Sequence, residues 1–326
     1  MTAAPRPTDS RPTDARATDS RASEASLEHS LGVLVGFDGS ELAALAVRHG
    51  AAESTRRNVP LTVVTSYTEP VPVYANMASM PPENEAEVAE RAAERTLAEA
   101  VELLRDHEGP KSFRTAPGDA AGVLISLSTS ADVAVVGARG RGGFMGRILG
   151  SVSTALPAHA HCPTIVVPRH SGSEEHSPAA GQESGPVAVA VDGSEAGRVA
   201  MFTAAQEASL RRTGLEIICV LPAGEEWLYW YPDLELSSEV TGRRQKQLET
   251  ALGTEAEGLQ AQFPELPITT SVPVGDPKST IVETTGRAQL TVLGTRGRGA
   301  VKSALLGSVS RGVLNHAAGP VMIVPS

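Results

Sequence analysis

The stretch VAVVGARGRGGFMGRILGSVS, Val133 to Ser153, decides the fold because it occurs twice. LTVLGTRGRGAVKSALLGSVS, Leu290 to Ser310, repeats it at the same spacing. Each copy opens on a short β-branched apolar run, passes through closely spaced glycines and ends on Gly-Ser. A buried strand, a glycine loop and a helix start in that order belong to a βαβ unit. Working outward, LGVLVGFDGS (Leu31 to Ser40) answers to GPVAVAVDGS (Gly185 to Ser194). TAPGDAAGVLI (Thr115 to Ile125) answers to VPVGDPKSTIV (Val272 to Val282), and HAHCPTIVVP (His159 to Pro168) to HAAGPVMIVP (His316 to Pro325). The chain is a duplication of one domain of ~140 residues, an ordinary domain size. Its 326 residues agree, at roughly 100–200 residues per domain.

Residues 1–28 drift through a five-residue repeat of Arg, Thr, Asp, Ser and Ala, with almost nothing large enough to repay ordering. They are expected to be a disordered tail. The polar run of 169–185 has linker composition. The expected organisation is therefore tail 1–28, domain 29–168, linker 169–185 and domain 186–326.

Hydrophobic residues at 41% and charged residues at 20% suit buried cores. Aromatics at 3% leave aliphatic side chains to fill them, as where parallel strands are covered by helices on both faces. Lys+Arg 28 against Asp+Glu 38 gives a net charge of -10, a field that repels nucleic acid. The two cysteines, Cys162 and Cys219, form neither a disulfide framework nor a metal-ligand spacing, which fits a reducing cytoplasm. No apolar run approaches the ~20 residues that span a bilayer, and no secretory signal opens the chain, so no membrane role is expected.

Strands are expected at Gly32–Gly36, Leu61–Tyr67, Ser112–Ala116, Val133–Gly137 and Thr164–Val167. Their counterparts are Val187–Val191, Leu215–Leu221, Ile268–Val274, Leu290–Gly294 and Val321–Val324. Glu85–His107 carries apolar residues near a 3.6 period and reads as an amphipathic helix. Alternating strands and helices imply right-handed crossovers and an open parallel α/β sheet. Ligands of such sheets bind beyond the strands' carboxyl ends where strand order reverses, here after strands one and four.

The unusual residues stand at those two places. Gly137-Ala-Arg-Gly140 is followed after nine residues by Gly150-Ser151-Val152-Ser153; Gly294-Thr-Arg-Gly297 is followed after nine by Gly307-Ser308-Val309-Ser310. Glycines let backbone approach a ligand, and Gly-Ser at a helix start offers N–H groups, a hydroxyl and the positive dipole end to a phosphate. Asp38 and Asp192, each in Asp-Gly-Ser, suit a ribose, an amine or a hydrated Mg²⁺, and the sequence does not choose among them. Arg139, Arg141, Arg296 and Arg298 recur at matched positions, either to offset phosphate charge or as a solvated basic turn; Arg147 and Lys302 do not match one another. Trp227, Tyr229, Trp230 and Tyr231 suit a hydrophobic plug, with a lid or partner surface as the alternative; the first half has only Tyr74 there. His159, His161 and Cys162 read as a loop entering the last strand, since the second half keeps only His316. No P-loop motif exists, and Met145 stands where the dinucleotide fingerprint needs its last glycine.

On these residues the chain resembles the universal stress proteins, whose signature Gly-x2-Gly-x9-Gly-Ser/Thr is met in both halves. The resemblance covers about 31–168 and 186–326. It implies two Rossmann-like domains, each with a five-stranded parallel sheet in the order 3-2-1-4-5, and pairing of the domains through their last strands. It also implies binding of ATP or a related adenine nucleotide, with Mg²⁺ as a companion. By that likeness Asp38 and Asp192 lie near the adenosine, and Gly137, Gly140, Gly150, Ser151, Gly294, Gly297, Gly307 and Ser308 hold phosphates. Val152, Ser153, Val309 and Ser310 continue the contact, and backbone at Ser66 and Val220 meets adenine. The function expected is a nucleotide-dependent stress regulator acting on an unnamed protein partner, with a homodimer of chains compatible. The alternatives are a slow Mg²⁺-dependent ATPase and a nucleotide-free interaction module.

Overall fold

A computed structural model describes residues 31–68, 85–141, 149–169, 185–223, 238–297 and 306–325. The tail, most of the linker, Tyr74, the group at Trp227–Tyr231, Arg147, Arg298 and Lys302 lie outside the described residues. In the first half the strands are β1 (Gly32–Gly36), β2 (Leu61–Tyr67), β3 (Lys111–Pro117), β4 (Ala131–Gly137) and β5 (Thr164–Val167). Between them run α1 (Glu41–Arg57), α2 (Glu85–Leu103), α3 (Ala120–Leu127) and α4 (Ser151–His159). The second half has β6 (Val187–Ala190), α5 (Glu195–Leu210), β7 (Leu215–Ile218), β8 (Leu221–Pro222), α6 (Ser238–Gln262), β9 (Ile268–Ser271) and β10 (Val274–Gly275). It closes with α7 (Pro277–Thr285), β11 (Leu290–Gly294), α8 (Ser308–His316) and β12 (Val321–Val324).

The strands form one ten-stranded sheet, ordered β3-β2-β1-β4-β5-β12-β11-β6-β7-β9. Within each half all neighbours are parallel and the order is 3-2-1-4-5. The seam is antiparallel, with Val321 opposite Val166, Met322 opposite Ile165 and Ile323 opposite Thr164. Strands that are apolar without alternation are buried on both faces. Val33 and Val35 pack with Ala46, Leu97 and Leu104, while Leu34 joins Leu124, Leu156 and Val136. Both cores draw on both halves, Val187 and Leu290 entering the first and Val313 and Ile323 the second.

Two outer strands differ from the expectation. Leu215–Leu221 and Ile268–Val274 each divide, into β7 with β8 and β9 with β10, and β8 pairs with β10 apart from the main sheet. Pro273 lies in the gap; it has no N–H to donate, so the ladder loses a rung. The first half has Ala116 at the equivalent register and pairs without interruption to Tyr67 opposite Pro117. The helix expected to reach His107 ends at Leu103, and the chain turns through Lys111, whose ammonium donates to the carbonyls of Leu104 (2.8 Å) and His107 (2.6 Å).

Behind the seam the C-terminal ends of α1 and α5 meet. Arg57 donates to Glu207 at 2.5 Å and lies 3.1 Å from Glu53 on its own helix. Arg211 reaches across to Glu53 and lies 3.5 Å from Glu207 on its own side. The two carboxylates are 1% and 3% exposed, so the charges are neutralised by one another instead of by water. Arg56 adds a contact to Glu53 at 2.8 Å and His49 one at 3.4 Å. Burial alone would raise the Glu53 carboxyl, but His49, Arg211 and Arg57 outweigh it and hold the group well below the usual carboxylate range.

Candidate functional site

At the carboxyl end of β1 the chain makes a tight Asp38-Gly39-Ser40 turn into α1. Gly39 sits at φ +78°, a left-handed conformation that suits glycine, and Gly193 repeats it at +76°. Ser40 caps α1 by accepting the Ala43 N–H at 3.2 Å, and Ser194 caps α5 by accepting the Gly197 N–H at 3.1 Å. Asp38 is fastened in this turn: Oδ1 accepts the Ser40 N–H at 3.0 Å, and Oδ2 accepts the Arg141 N–H at 2.8 Å. The carboxylate thus ties the loop after β4 to the end of β1. Asp192 accepts the Ser194 N–H at 3.0 Å in the same way.

The glycine loop closes against that carboxylate. A Cβ on Gly140 would stand 2.3 Å from Asp38 Oδ2, and one on Gly297 would stand 2.4 Å from Asp192 Oδ2. No side chain fits at either place without moving the aspartate. The far end of the loop is pinned as well. Gly150 donates its N–H to the Ala138 carbonyl at 3.0 Å, as Gly307 does to Thr295 at 2.8 Å. Ser153 donates to the Ala138 carbonyl at 2.6 Å, and Ser310 to that of Gly294 at 2.9 Å. The hydroxyls of Ser153 and Ser310 therefore brace the loop from inside.

Gly150 and Gly307 are the N-caps of α4 and α8, and neither helix start has a side-chain cap. Their first-turn N–H groups face outward beside the exposed Ser151 and Ser308. Val152 and Val309 are half-buried and pack on the core.

Ser66 in the first half and Val220 in the second hold equivalent places at the ends of the second strands. The Phe37 N–H donates to the Val64 carbonyl, whereas the Tyr67 carbonyl accepts from Gly118 on the β3 side. Alternation along β2 turns the N–H and C=O of Ser66 towards β1, beyond that strand's last residue. Val191 donating to Ile218 and Leu221 donating to Pro273 place Val220 the same way.

In the first half these groups line one cavity of about 780 Å³. It gathers Asp38, Ser66, Gly137, Arg139, Gly140, Arg141, Gly150, Ser151, Val152 and Ser153. Of the second-half residues, Asp192, Gly294, Arg296, Gly297, Gly307, Ser308, Val309 and Ser310 repeat the turn, loop and helix start, with Val220 at the strand end. Arg139 is half-buried and Arg296 exposed. Sequence reading missed the opposite wall, where Ala89, Ala92, Ala93 and Thr96 of α2 face the cavity. Small residues at i, i+3, i+4 and i+7 were the available signal. The neighbourhood of His161 is structural: its N–H donates to Ser128 at 2.9 Å, and burial pushes the Cys162 thiol up to about 11.

The profile of the Universal stress protein family matches the chain twice, over residues 32–168 and 184–325. The chain belongs to that family. A universal stress protein of Mycobacterium tuberculosis, Rv2005c, is 32% identical over 301 residues, covering 90% of this chain and 96% of its own length. Another from that organism, Rv2623, is 30% identical over 299 residues with the same coverage. Among solved structures, a universal stress protein from Archaeoglobus fulgidus matches with a TM-score of 0.61 at 20% identity, over 90% of this chain and 96% of that one. That likeness supports the fold of a tandem universal stress protein.

Proposed function

We propose that this universal stress protein binds ATP, or a closely related adenine nucleotide, in each half, and acts in the cytoplasm as a nucleotide-dependent regulator. The cavity at the reversal of strand order carries the reading. Its apolar wall of Val64, Ala92, Ala93, Val123 and Val136 suits a base, and its glycine loop and helix start suit phosphates. Ser66 and Val220 would meet the base through backbone. Asp38 and Asp192 would hold the loops and approach the ribose. Both Asp38 oxygens already accept backbone N–H groups, so Mg²⁺ would accompany the phosphates without a protein cage. Among the described residues that line the cavity, Asp38 is the one carboxylate, which leaves no second group as a general base and makes any hydrolysis slow. Occupancy would order the loops and change the surface offered to a protein partner.

The test is to denature freshly purified protein and identify and count the nucleotide released, then repeat with Gly140→Ala plus Gly297→Ala. Close to two ATP per chain, lost from a still-folded variant, is the expected result. No released nucleotide, together with no calorimetric binding of added ATP and Mg²⁺, overturns the reading.

A further inference from the structure

Four arginines recur at matched positions in the two loops, and one of those described has a defined seat. Arg141 is held at the cavity rim from two sides. Its backbone N–H donates to Asp38 Oδ2 at 2.8 Å, and its Nη2 lies 3.3 Å from Thr96 Oγ1 on α2. Thr96 donates to the Ala92 carbonyl at 3.2 Å, which leaves its oxygen to accept from the guanidinium. Between these anchors the side chain lies across Gly39, where a Cβ would stand 2.2 Å from Nη2. Among the described residues no carboxylate pairs with this cation. A guanidinium has five N–H donors in a fixed fork, and a single neutral hydroxyl engages one of them.

We propose that Arg141 is the specificity-determining residue of the first site, selecting ligands by their terminal phosphate charge. This rests on the nucleotide reading above. The base and ribose would contact backbone and apolar wall, which favour ATP, AMP and adenosine alike. A pre-seated fork at the rim favours the ligand whose phosphates reach it, because charge-assisted hydrogen bonds to phosphate are the strong ones.

The full-length protein and its Arg141→Gln and Arg141→Lys variants would be titrated with ATP, AMP, adenosine and inorganic pyrophosphate. In Arg141→Gln the ATP-to-adenosine affinity ratio should fall about ten- to a hundredfold for one equivalent per chain, with adenosine itself unchanged. Lysine should restore part of the ratio, since it keeps the charge and loses the fork. An unchanged ratio overturns the proposal, as does equal weakening of all ligands, which would mark Arg141 as a mere brace for Asp38. If no adenine ligand binds while pyrophosphate binds and depends on Arg141, the adenine reading falls and the anion role stands. If pyrophosphate fails as well, both fall.

Discussion

The two halves repeat each other closely at the crevice and loosely at the sheet edge. The Asp-Gly-Ser turn, the left-handed glycine and the carboxylate beneath Gly140 or Gly297 agree to within a few degrees or tenths of an ångström. At the edge, β2 and β3 pair through seven residues, whereas their counterparts break around Pro273. A loop in which each atom sits against another tolerates little change. An edge strand loses one ladder bond and continues. The duplication is strict where the glycine loop packs against the aspartate and lax where the sheet only has to end.

The largest effect should come from the ion cluster common to both halves. Glu53→Gln leaves Arg211 and Arg57 with a buried partner removed and should destabilise the protein by about 3–5 kcal/mol in chemical denaturation. Glu207→Gln should do the same if the halves are equivalent there; a clear difference would show that one carboxylate dominates. The acid dependence has a definite sign. Because the Glu53 carboxyl is held below its usual range in the folded state, its contribution is full above the unfolded value of about 4.3 and wanes as pH falls below it. Wild type should therefore lose the advantage over Glu53→Gln in strong acid, as read by denaturation midpoints across a pH series.

Next in size is the loop. Gly140→Ala and Gly297→Ala singly should each weaken one equivalent of ATP about tenfold or more, about 1.4 kcal/mol, by calorimetry. Similar losses are expected because the two clashes are alike, and unequal losses would break the comparison of the sites. Pro273→Ala sharpens the contrast at the edge. It should restore a donor opposite β7 and slow amide exchange over residues 219–223. The change in stability should stay within about 1 kcal/mol, since the gained hydrogen bond is offset by a freer unfolded chain. Smallest of all is the exchange Ser66→Val: if the base meets backbone there, ATP affinity should change by less than about twofold, under 0.5 kcal/mol.

The loop was legible because the duplication supplies its own control: the Gly-x2-Gly-x9-Gly-Ser spacing recurs where helix capping alone would not require it, whereas the strand order followed from the resemblance to the universal stress proteins. The break at Pro273 was signalled by the proline itself, yet the apolar run on either side read as one strand. The ion cluster stayed hidden. Glu53 and Arg57, like Glu207 and Arg211, are spaced i, i+4 and read as an exposed helical pair. Only the seam brings their helix ends together, and its register is a long-range fact that local periodicity does not carry. The matched Glu-x3-Arg at one position of both repeats was the trace it left. The alanine wall of α2 was masked likewise, since alanine reads as good helix former before it reads as empty space.

The antiparallel seam has a geometric consequence. Strands in one half run opposite to those in the other, so the two crevices open at opposite margins of a single continuous sheet. The carboxyl ends of the strands in the two halves thus point in opposite directions, with the shared sheet between them.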